Sequence, residues 1–530
     1  MADIDGDRDG LSIEALSPAD TPATPARYPG ILTASLVLAT FLQSLDNTIA
    51  NVALPHMQGT LSATQDEMGW VLTSYMIAAA ITIPLSGWLA NQFGRRRVFL
   101  TSIILFTAAS VLCGMAQTLP EIVLCRFLQG VGGAALVPLS QAVLFDINAP
   151  KNFARAMSIW SAGANLGPIT GPILGGWLTE NYNWRWVFYI NVPVGIIAFL
   201  GLFLTMPERH NAQSARFDFF GFGMLSISIA SFQLFLDRGQ LLDWFSSREI
   251  VIEAVVAGLG FYLFLVHTFS SAHPFLNPAL FKDRNFAASI VFIFVFGIVF
   301  FATLALLPPM LQNQMHYPVV LTGLVTAPRA AGMLTALFIM GRISARIDAR
   351  VMMGVGLGVS AYALWLMAEF SLQMGWGPVL ISGVLQGFGL GLVYVPLATV
   401  AFTTLSGTLR NEGTAFFNLL RNVGSSIGIS VVMFLLTQNT QRLHASLGAH
   451  LTPYNIISNP AAIAAHVDAT SIRGLVALNA MITNQATMIA YIDDFWLMTM
   501  LTLLTMPLLL FIRVIRGAKA VAGSHPAALE

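Results

Sequence analysis

The sequence predicts an all-α membrane protein with fourteen transmembrane spans, and its composition, its apolar stretches and an internal repeat all point to this fold class. Hydrophobic residues make up 56% of the 530 residues and charged residues only 10%, whereas about 25% of a typical soluble protein is charged. Lys plus Arg and Asp plus Glu both number 26, so the formal net charge is zero. This balance excludes a global electrostatic case for nucleic-acid binding.

Each span needs about 20 consecutive apolar residues to cross a bilayer, and fourteen stretches of the chain meet this requirement. In order, the predicted spans are 31–54, 69–92, 97–116, 121–145, 157–178, 184–206, 217–236, 249–269, 286–309, 320–343, 350–369, 376–401, 414–437 and 494–516. Residues 1–30 are acidic and rich in Pro, Ala and Thr, and they predict a disordered tail rather than a signal peptide. Residues 517–530 form a second predicted tail.

The positive charges of the short loops orient these spans. If the amino terminus is cytoplasmic, the short cytoplasmic loops carry the following basic residues: Arg95, Arg96, Arg97, Lys151, Arg155, Arg209, Arg216, Lys282, Arg284, Arg342, Arg346, Arg350 and Arg410. The short outer loops carry only Arg238 and Arg248. Because positive charge accumulates on the cytoplasmic side, both termini are predicted to be cytoplasmic.

One predicted connection is much longer than the others. Residues 438–493 are polar and follow the thirteenth span, which predicts an outer loop of this length. Its histidines, His444, His450 and His466, are scattered as in a solvated loop, so we predict no metal site. A loop this long at a membrane surface indicates contact with a partner protein.

An internal repeat relates the two halves of the chain. Gln129–Gly132 recurs as Gln386–Gly389, and Asn165–Gly171 recurs as Asn422–Gly428, both with a displacement of 257 residues. Spans one to six therefore match spans nine to fourteen, and spans seven and eight are an inserted pair. An even number of inserted spans leaves the two halves parallel. Parallel six-helix repeats are typical of the major facilitator fold, which binds its substrate between the halves.

The repeat also divides the chain. The predicted parts are a six-helix bundle at 31–206, an inserted two-helix segment at 207–285 and a second six-helix bundle at 286–516 that includes the loop 438–493.

Asp46 lies inside the first span, where a charge costs at least about 3 kcal/mol unless it is paired or faces water. Gln43, Asn47 and Asn51 are spaced three or four residues from it or from each other, so this polar stripe is predicted to face the central cavity. Arg126 of the fourth span lies at a similar depth and can meet Asp46. Two interpretations remain open: a site that binds and releases a proton as its surroundings change, and a static ion pair that joins two spans.

Three further residues complete the predicted cavity lining: Gln129, Arg329 and Arg421. Each of the two arginines can hold an anionic substrate or pair with backbone carbonyls. We find no phosphate-binding loop, metal-ligand cluster or catalytic triad that a motif supports. This argues against an ATP-driven pump and against a membrane hydrolase.

The fifth span contains a ridge of glycines interrupted by prolines. Its members are Gly163, Gly167, Pro168, Gly171, Pro172, Gly175 and Gly176. Glycine every four residues lets a neighbouring helix approach closely, and proline removes a backbone donor so that the helix can bend. Ordinary small-residue packing explains this ridge, and so does a hinge or seal between the halves.

Together these motifs resemble those of the fourteen-span drug:proton antiporters, the EmrB/QacA branch of the major facilitator superfamily. The resemblance covers nearly the whole chain. The matching segments are Leu45–Pro55 in the first span, Gly87–Arg97 after span two, Arg126–Gly133 in the fourth span, Gly163–Leu178 in the fifth span, Trp184–Pro193 and Arg421–Gly424. In this family the fourth-span motif is associated with proton transfer, and the fifth-span motif marks exporters.

The resemblance implies a proton-driven multidrug exporter that works by alternating access, with Asp46 and Arg126 coupling the proton and with no cofactor. The long loop resembles the EmrB side of the branch. This implies a bacterial inner-membrane protein that works with a periplasmic adaptor and an outer-membrane channel. A proton-coupled uptake symporter for a small metabolite remains the alternative, and a scaffold or receptor without transport is a third possibility.

The resemblance also implies a cytoplasmic gate, formed by Gly87, Gly94, Arg95, Arg96 and Asp146. The family motif has an acidic and then a basic residue where this chain has Asn91 and Gln92. This departure predicts a weaker charge relay, although Arg95 and Arg96 can still meet Asp146.

Overall fold

The computed structural model describes residues 27–149, 152–208, 217–344, 346–406, 409–450 and 471–513. The predicted tails lie outside these residues, apart from residues 27–30, and the first helix already begins at Pro29. Within the described ranges the chain is helical and contains no strand.

The helices that build the two bundles and the inserted pair are labelled α1 to α14. In chain order they are α1 (Pro29–Leu61), α2 (Trp70–Phe93), α3 (Arg95–Met115), α4 (Leu119–Gly133, continued by Leu136–Ile147), α5 (Phe153–Asn181), α6 (Trp186–Tyr189, continued by Asn191–Thr205), α7 (Phe219–Arg238), α8 (Arg248–Ser270), α9 (Arg284–Pro309, continued by Met310–Gln314), α10 (Val319–Thr326, continued by Pro328–Ile343), α11 (Ala349–Ala368), α12 (Trp376–Thr403), α13 (Arg410–Ala449) and α14 (Ile472–Thr505, continued by Met506–Phe511).

Thirteen helices of the described residues are long and apolar enough to cross a membrane. The helix α5 is not among them, since its glycines and prolines make it less apolar, although its 29 residues give it sufficient length. The all-helical membrane fold is therefore confirmed, while the number of fourteen spans stays a prediction.

Short polar side chains determine where several helices begin. The Asp218 carboxylate accepts a hydrogen bond from the Gly221 N–H at 2.9 Å at the start of α7, and Asp283 accepts one from the Phe286 N–H at 3.0 Å at the start of α9. Such caps satisfy N–H groups that have no partner within the helix, and losing one costs about 1 kcal/mol. The starts of the inserted pair and of the second bundle are thus encoded locally.

The internal repeat is visible in the packing. In the first half, α5 packs on α1, and a Cβ added to Gly171 would lie 3.0 Å from the Thr48 Cβ. In the second half, α13 packs on α9, and a Cβ added to Gly428 would lie 2.7 Å from the Ile298 Cα. Glycines that the repeat relates therefore make the same helix–helix contact in both bundles.

The inserted helix α7 does not stand apart from the bundles. It contacts α8, α2 of the first bundle and α13 of the second bundle. The Ser430 hydroxyl of α13 donates to the Leu236 carbonyl of α7 at 3.0 Å. The inserted pair is therefore part of the boundary between the two halves.

The prediction of a loop at 438–493 is wrong over most of that segment, which is helical. The helix α13 continues to Ala449, and α14 begins at Ile472. The His444 ring nitrogen of α13 lies 3.0 Å from the Asn479 side-chain oxygen of α14, so the two extended helices contact each other. Polarity ends a transmembrane span but does not end a helix, because most polar residues cost only a few tenths of a kcal/mol in a helix. Residues 451–470, with His466, lie outside the described residues.

Candidate transport site

A large cavity lies between the two bundles, with a volume of about 1650 Å³. Aromatic side chains from α7, α8 and α9 form much of its wall; they include Phe232, Phe261, Phe300 and Phe301. The polar stripe of α1 faces it as well, through Gln43, Asn47 and Asn51. Such a wall suits large, predominantly apolar ligands.

Arg421 of α13 also lines the cavity, and no hydrogen-bond acceptor contacts its Nε within the described residues. Arg329 and Gln129 do not line it, contrary to our expectation. The Arg329 guanidinium turns to α9 and donates to the Phe300 carbonyl at 3.0 Å, which is the backbone pairing left open by the sequence. Gln129 is fully buried and turns to Asp46.

Asp46 and Arg126 meet in the interior of the first bundle. The Arg126 Nη1 donates to the Asp46 Oδ2 at 2.6 Å, and both side chains are almost completely buried. The Gln129 Nε2 donates to the Asp46 Oδ1 at 2.7 Å, and its Oε1 accepts from Arg126 at 2.8 Å. A buried carboxylate requires partners of this kind, since an isolated charge is expensive in a low-dielectric interior.

Sequence reasoning missed a third donor to this carboxylate. The Asn191 Nδ2 of α6 donates to the Asp46 Oδ1 at 2.8 Å and lies 3.0 Å from the Ser110 hydroxyl of α3. Asn191 is fully buried. It belongs to the segment Trp184–Pro193, so the family resemblance pointed to the segment, but nothing in the pattern indicated which residue reaches Asp46.

Tyr75 of α2 was missed too, and it connects the buried pair with the cavity. The Arg126 guanidinium lies over the Tyr75 ring, 4.4 Å from its centroid, while the same ring lines the cavity. An aromatic face attracts a cation at this distance. Movement of one aromatic ring can therefore change the contact between the ion pair and the cavity.

The glycine ridge of α5 faces its own bundle. A Cβ on Gly167 would meet Ser44 and Leu45 of α1, and a Cβ on Gly175 would lie 3.0 Å from the Ile49 Cγ1 of the same helix. The seal between the halves that we considered is thus not formed by this glycine face, because the glycines allow close packing of α5 on α1. Other members differ: Pro168 lines the cavity, Pro172 is exposed, and Gly176 has open space beside it.

The two bundles contact each other at the end that contains Gly94, Asp146 and Arg410, here called the gate end. The Asp146 carboxylate of α4 accepts a hydrogen bond from Arg95 of its own bundle. Its other oxygen accepts one from the Arg410 Nη1 of α13 at 2.8 Å. Arg96 instead donates to the Phe203 carbonyl at 2.6 Å, so it does not join Asp146 as we had expected.

The amide at position 91 takes part in the same closure. The Asn411 Nδ2 of α13 donates to the Asn91 Oδ1 at 2.5 Å, and the Asn91 Nδ2 donates to the Glu412 Oε1 at 3.3 Å. A Cβ on Gly87 would lie 3.1 Å from the Asn411 carbonyl oxygen, so the absence of a side chain lets α2 and α13 touch. Gly94 adopts φ 89° between α2 and α3, a conformation that glycine tolerates well.

Comparison with known proteins agrees with this architecture. Residues 36–429 match the model of the Major Facilitator Superfamily. The multidrug export protein EmrB of Escherichia coli (strain K12) is 34% identical over 500 residues, which cover 93% of this chain and 97% of that protein. The multidrug export protein EmrB of Haemophilus influenzae is 34% identical over 430 residues, which cover 81% of this chain and 84% of that protein.

A solved structure supports the fold alone. The proton:xylose symporter XylE superposes with a TM-score of 0.58 at 13% identity, and the match covers 89% of this chain and 94% of that chain. The architecture and the sequence relationships agree over most of the chain. It is a multi-pass transporter that belongs to the Major Facilitator Superfamily, in the EmrB/QacA branch.

Proposed function

We propose that the protein is a proton-driven exporter of hydrophobic or amphipathic compounds. The observation that carries this proposal is the buried pair of Asp46 and Arg126 beside a large aromatic cavity between the bundles. The curated relatives are named multidrug export proteins, which supports export of drugs. Most of the surface of the cavity wall is apolar, and apolar pockets discriminate weakly between ligands.

The bundles are held together at the gate end by Asp146 and Arg410 and by Asn91 and Asn411. We assign this end to the cytoplasm, because positively charged loops favour the cytoplasmic side of a membrane. In this assignment the conformation is closed to the cytoplasm, and transport requires these contacts to open while the opposite ends of the bundles approach.

The proton step takes place at the Asp46 carboxylate. In this conformation Asp46 accepts hydrogen bonds from Arg126, Gln129 and Asn191, which suits the ionised form. A proton that binds Asp46 cancels its charge and releases the Arg126 guanidinium from the pair. When the cavity opens to the cytoplasm, substrate displaces the proton, and the pair forms again. Proton entry and drug exit are thereby coupled through one buried charge.

The two relatives are named multidrug export proteins, which favours export over the uptake of a small metabolite. The cavity also favours export, because its aromatic wall is a poor match for a small polar metabolite. If deletion of the gene lowers rather than raises the internal concentration of a candidate compound, uptake is the correct reading.

We further propose that the protein is the inner-membrane part of a tripartite pump with a periplasmic adaptor and an outer-membrane channel. The extensions of α13 and α14 support this, since residues 438–449 and 472–493 form paired helices on the predicted outer side. Photo-crosslinkers on the two extensions should capture the adaptor in intact cells. Capture that persists after both extensions are shortened would remove this support.

The main experiment uses inside-out membrane vesicles that contain the wild type, Asp46→Asn or the control Glu249→Gln. Glu249 is an exposed carboxylate that pairs with Arg238 at the surface. Vesicles are acidified inside, lipophilic drugs are added, and a pH-sensitive dye follows the loss of the proton gradient. Vesicles without the protein correct for drugs that carry protons by themselves.

We expect drug-dependent proton efflux with the wild type and with Glu249→Gln, and none with Asp46→Asn. Equal efflux with all three proteins would retain antiport but move the proton site away from Asp46. Absence of efflux with every compound would contradict proton-driven export.

A further inference from the structure

The inserted helix α7 contributes a carboxylate to the cavity. Asp237 lies near the outer end of α7 and lines the cavity wall. The charged residues of that wall, within the described part of the chain, are Asp237 and Arg421. Asp237 is therefore the negative charge that a ligand in this cavity meets.

Neutral groups hold this carboxylate in place. The Thr73 hydroxyl of α2 donates to the Asp237 Oδ2 at 2.8 Å, and the Gln233 Nε2 donates to its Oδ1 at 3.1 Å. The neighbouring Arg238 turns away and pairs with Glu249. None of the ion pairs within the described residues involves Asp237, so its charge is positioned without being neutralised.

The same hydrogen bonds continue to the second bundle. The Gln233 Oε1 accepts from the Ser426 hydroxyl of α13 at 2.9 Å. Hydrogen bonds therefore connect Asp237 directly to α2 of the first bundle and, through Gln233, to α13 of the second bundle. A ligand at Asp237 lies at the boundary between the two bundles.

The other cavity charge is too distant to pair with Asp237. Two hydrogen bonds align α7 with α13, one between Gln233 and Ser426 and one between Leu236 and Ser430. Because Asp237 follows Leu236, it lies level with the residues that follow Ser430. Arg421 is nine residues earlier on α13, which corresponds to about 13 Å along the helix at 1.5 Å per residue. A cationic group can therefore approach Asp237 without close repulsion from Arg421.

We propose that Asp237 is a specificity-determining residue that recognises the cationic group of lipophilic organic cations. The aromatic wall serves the same ligands, since ring faces of residues such as Phe232, Phe235 and Phe261 attract cations as well as apolar groups. A partly buried carboxylate attracts a cation more strongly than an exposed one does. This inference rests on the proposed transport of amphipathic compounds and names one substrate class for the same cavity.

The test uses two ions of nearly equal size and shape and of opposite charge, tetraphenylphosphonium and tetraphenylborate. Binding to the purified full-length protein is measured by calorimetry for the wild type, Asp237→Asn and Glu249→Gln. Glu249→Gln makes the same carboxylate-to-amide change and removes the ion pair of Arg238 on α7, but it leaves the Asp237 carboxylate in place, so it separates recognition from support of α7.

We expect Asp237→Asn to weaken tetraphenylphosphonium binding by about tenfold or more, and to leave tetraphenylborate binding unchanged or tighter. Glu249→Gln should change the binding of either ion less than about threefold, because it removes only an exposed ion pair. Equal weakening of both ions in Asp237→Asn would overturn the proposal and assign Asp237 a structural role. Unchanged binding in Asp237→Asn, or a wild type that binds only the anion, would overturn it too.

Failure of this inference and failure of the proposed function are distinguishable. If the vesicle experiment shows no drug-dependent proton efflux while cation binding still depends on Asp237, export is wrong and recognition at Asp237 stands. If efflux occurs and Asp237→Asn does not alter the preference between the two ions, export stands and the recognition is wrong.

Discussion

The Arg410 guanidinium of α13 donates a hydrogen bond to the Asp146 carboxylate of α4 at 2.8 Å, which joins the two bundles at the gate end. Both side chains are largely buried, with 12% and 4% of their surface exposed. Charged hydrogen bonds that are this well shielded contribute more than exposed ion pairs do. The contact is a specific target for testing alternating access.

Arg410→Ala should shift the protein toward the state that is open at the gate end. Loss of one charge-assisted hydrogen bond corresponds to about 1.5–3 kcal/mol, or roughly a tenfold to hundredfold change in the ratio of the two states. Spin labels on Phe93→Cys and Val351→Cys, both exposed positions, report the distance between the bundles. The double labels are placed in a protein in which Cys113 and Cys125 are replaced by Ala.

Arg342→Ala is the control for this measurement, because Arg342 at the same end contacts the ring of Phe338 in its own helix. It should leave the distance distribution unchanged. An unaltered distribution in Arg410→Ala would show that the Asp146 contact does not hold the gate end closed.

Gly167→Ala should destabilise the protein, whereas Gly176→Ala should not. The new Cβ at position 167 would lie 2.6 Å from the Ser44 Cβ and 2.7 Å from the Leu45 backbone nitrogen. At Gly176 such a Cβ would have no neighbour within 4 Å among the described residues. Overpacking of this kind costs about 1–3 kcal/mol, and alanine at an open helical position gains about 0.5–1 kcal/mol. Thermal unfolding in detergent, followed by fluorescence, compares the two variants, and equal melting temperatures would refute the close packing of α5 on α1.

Asn191→Ala should weaken proton coupling while the protein remains folded. The substitution removes the hydrogen bond of 2.8 Å to Asp46 but retains Arg126 and Gln129 as donors. A loss of about 1.5–3 kcal/mol for a hydrogen bond to a charged group corresponds to a roughly tenfold to hundredfold lower drug-dependent proton flux in vesicles. Asn181→Ala serves as the control, because Asn181 is exposed and its amide donates within its own helix, to the Trp177 carbonyl at 2.8 Å. Coupling that is equally reduced in both variants would contradict a particular role for Asn191.

Asp494→Val should raise the thermal stability. Asp494 is almost fully buried in α14, and neither carboxylate oxygen has a hydrogen-bond partner within the described residues. An unsatisfied buried polar group costs about 1–3 kcal/mol, and an apolar side chain of similar size removes this cost. Asp494→Asn should gain less, since an amide keeps a polar group in the same place. A lower melting temperature for Asp494→Val would mean that this carboxylate has a partner on which the fold depends.

Much of the fold follows from local chemistry. Backbone groups in a bilayer must be satisfied within the segment that crosses it, so apolar stretches of sufficient length have to be helices. The displacement of 257 residues then relates the halves, and the packing of Gly171 and Gly428 agrees with it. The prediction of a loop at 438–493 was wrong because the length of an apolar stretch reports only the thickness of the bilayer. It does not show where the helix itself ends.

The contact between Asp46 and Arg126 could also be predicted from the sequence. Two opposite charges at the same depth in neighbouring apolar spans have few other ways to avoid the cost of burial. Gln129 and Arg329 show the limit of this reasoning, since depth does not tell whether a side chain faces the cavity or another helix. The structure places both of them away from the cavity.

By itself, the sequence determined that this protein is a helical transporter with a repeated bundle and a buried charge pair, since hydrophobic length, charge asymmetry and repeat spacing are properties of the chain alone. Only the tertiary structure decided that Asn191 and Tyr75 join that pair and that Asp237 of the inserted helix enters the cavity. Which helices become neighbours, and how far each is rotated about its axis, depends on close packing between distant segments. These contacts leave no periodic signal in the sequence.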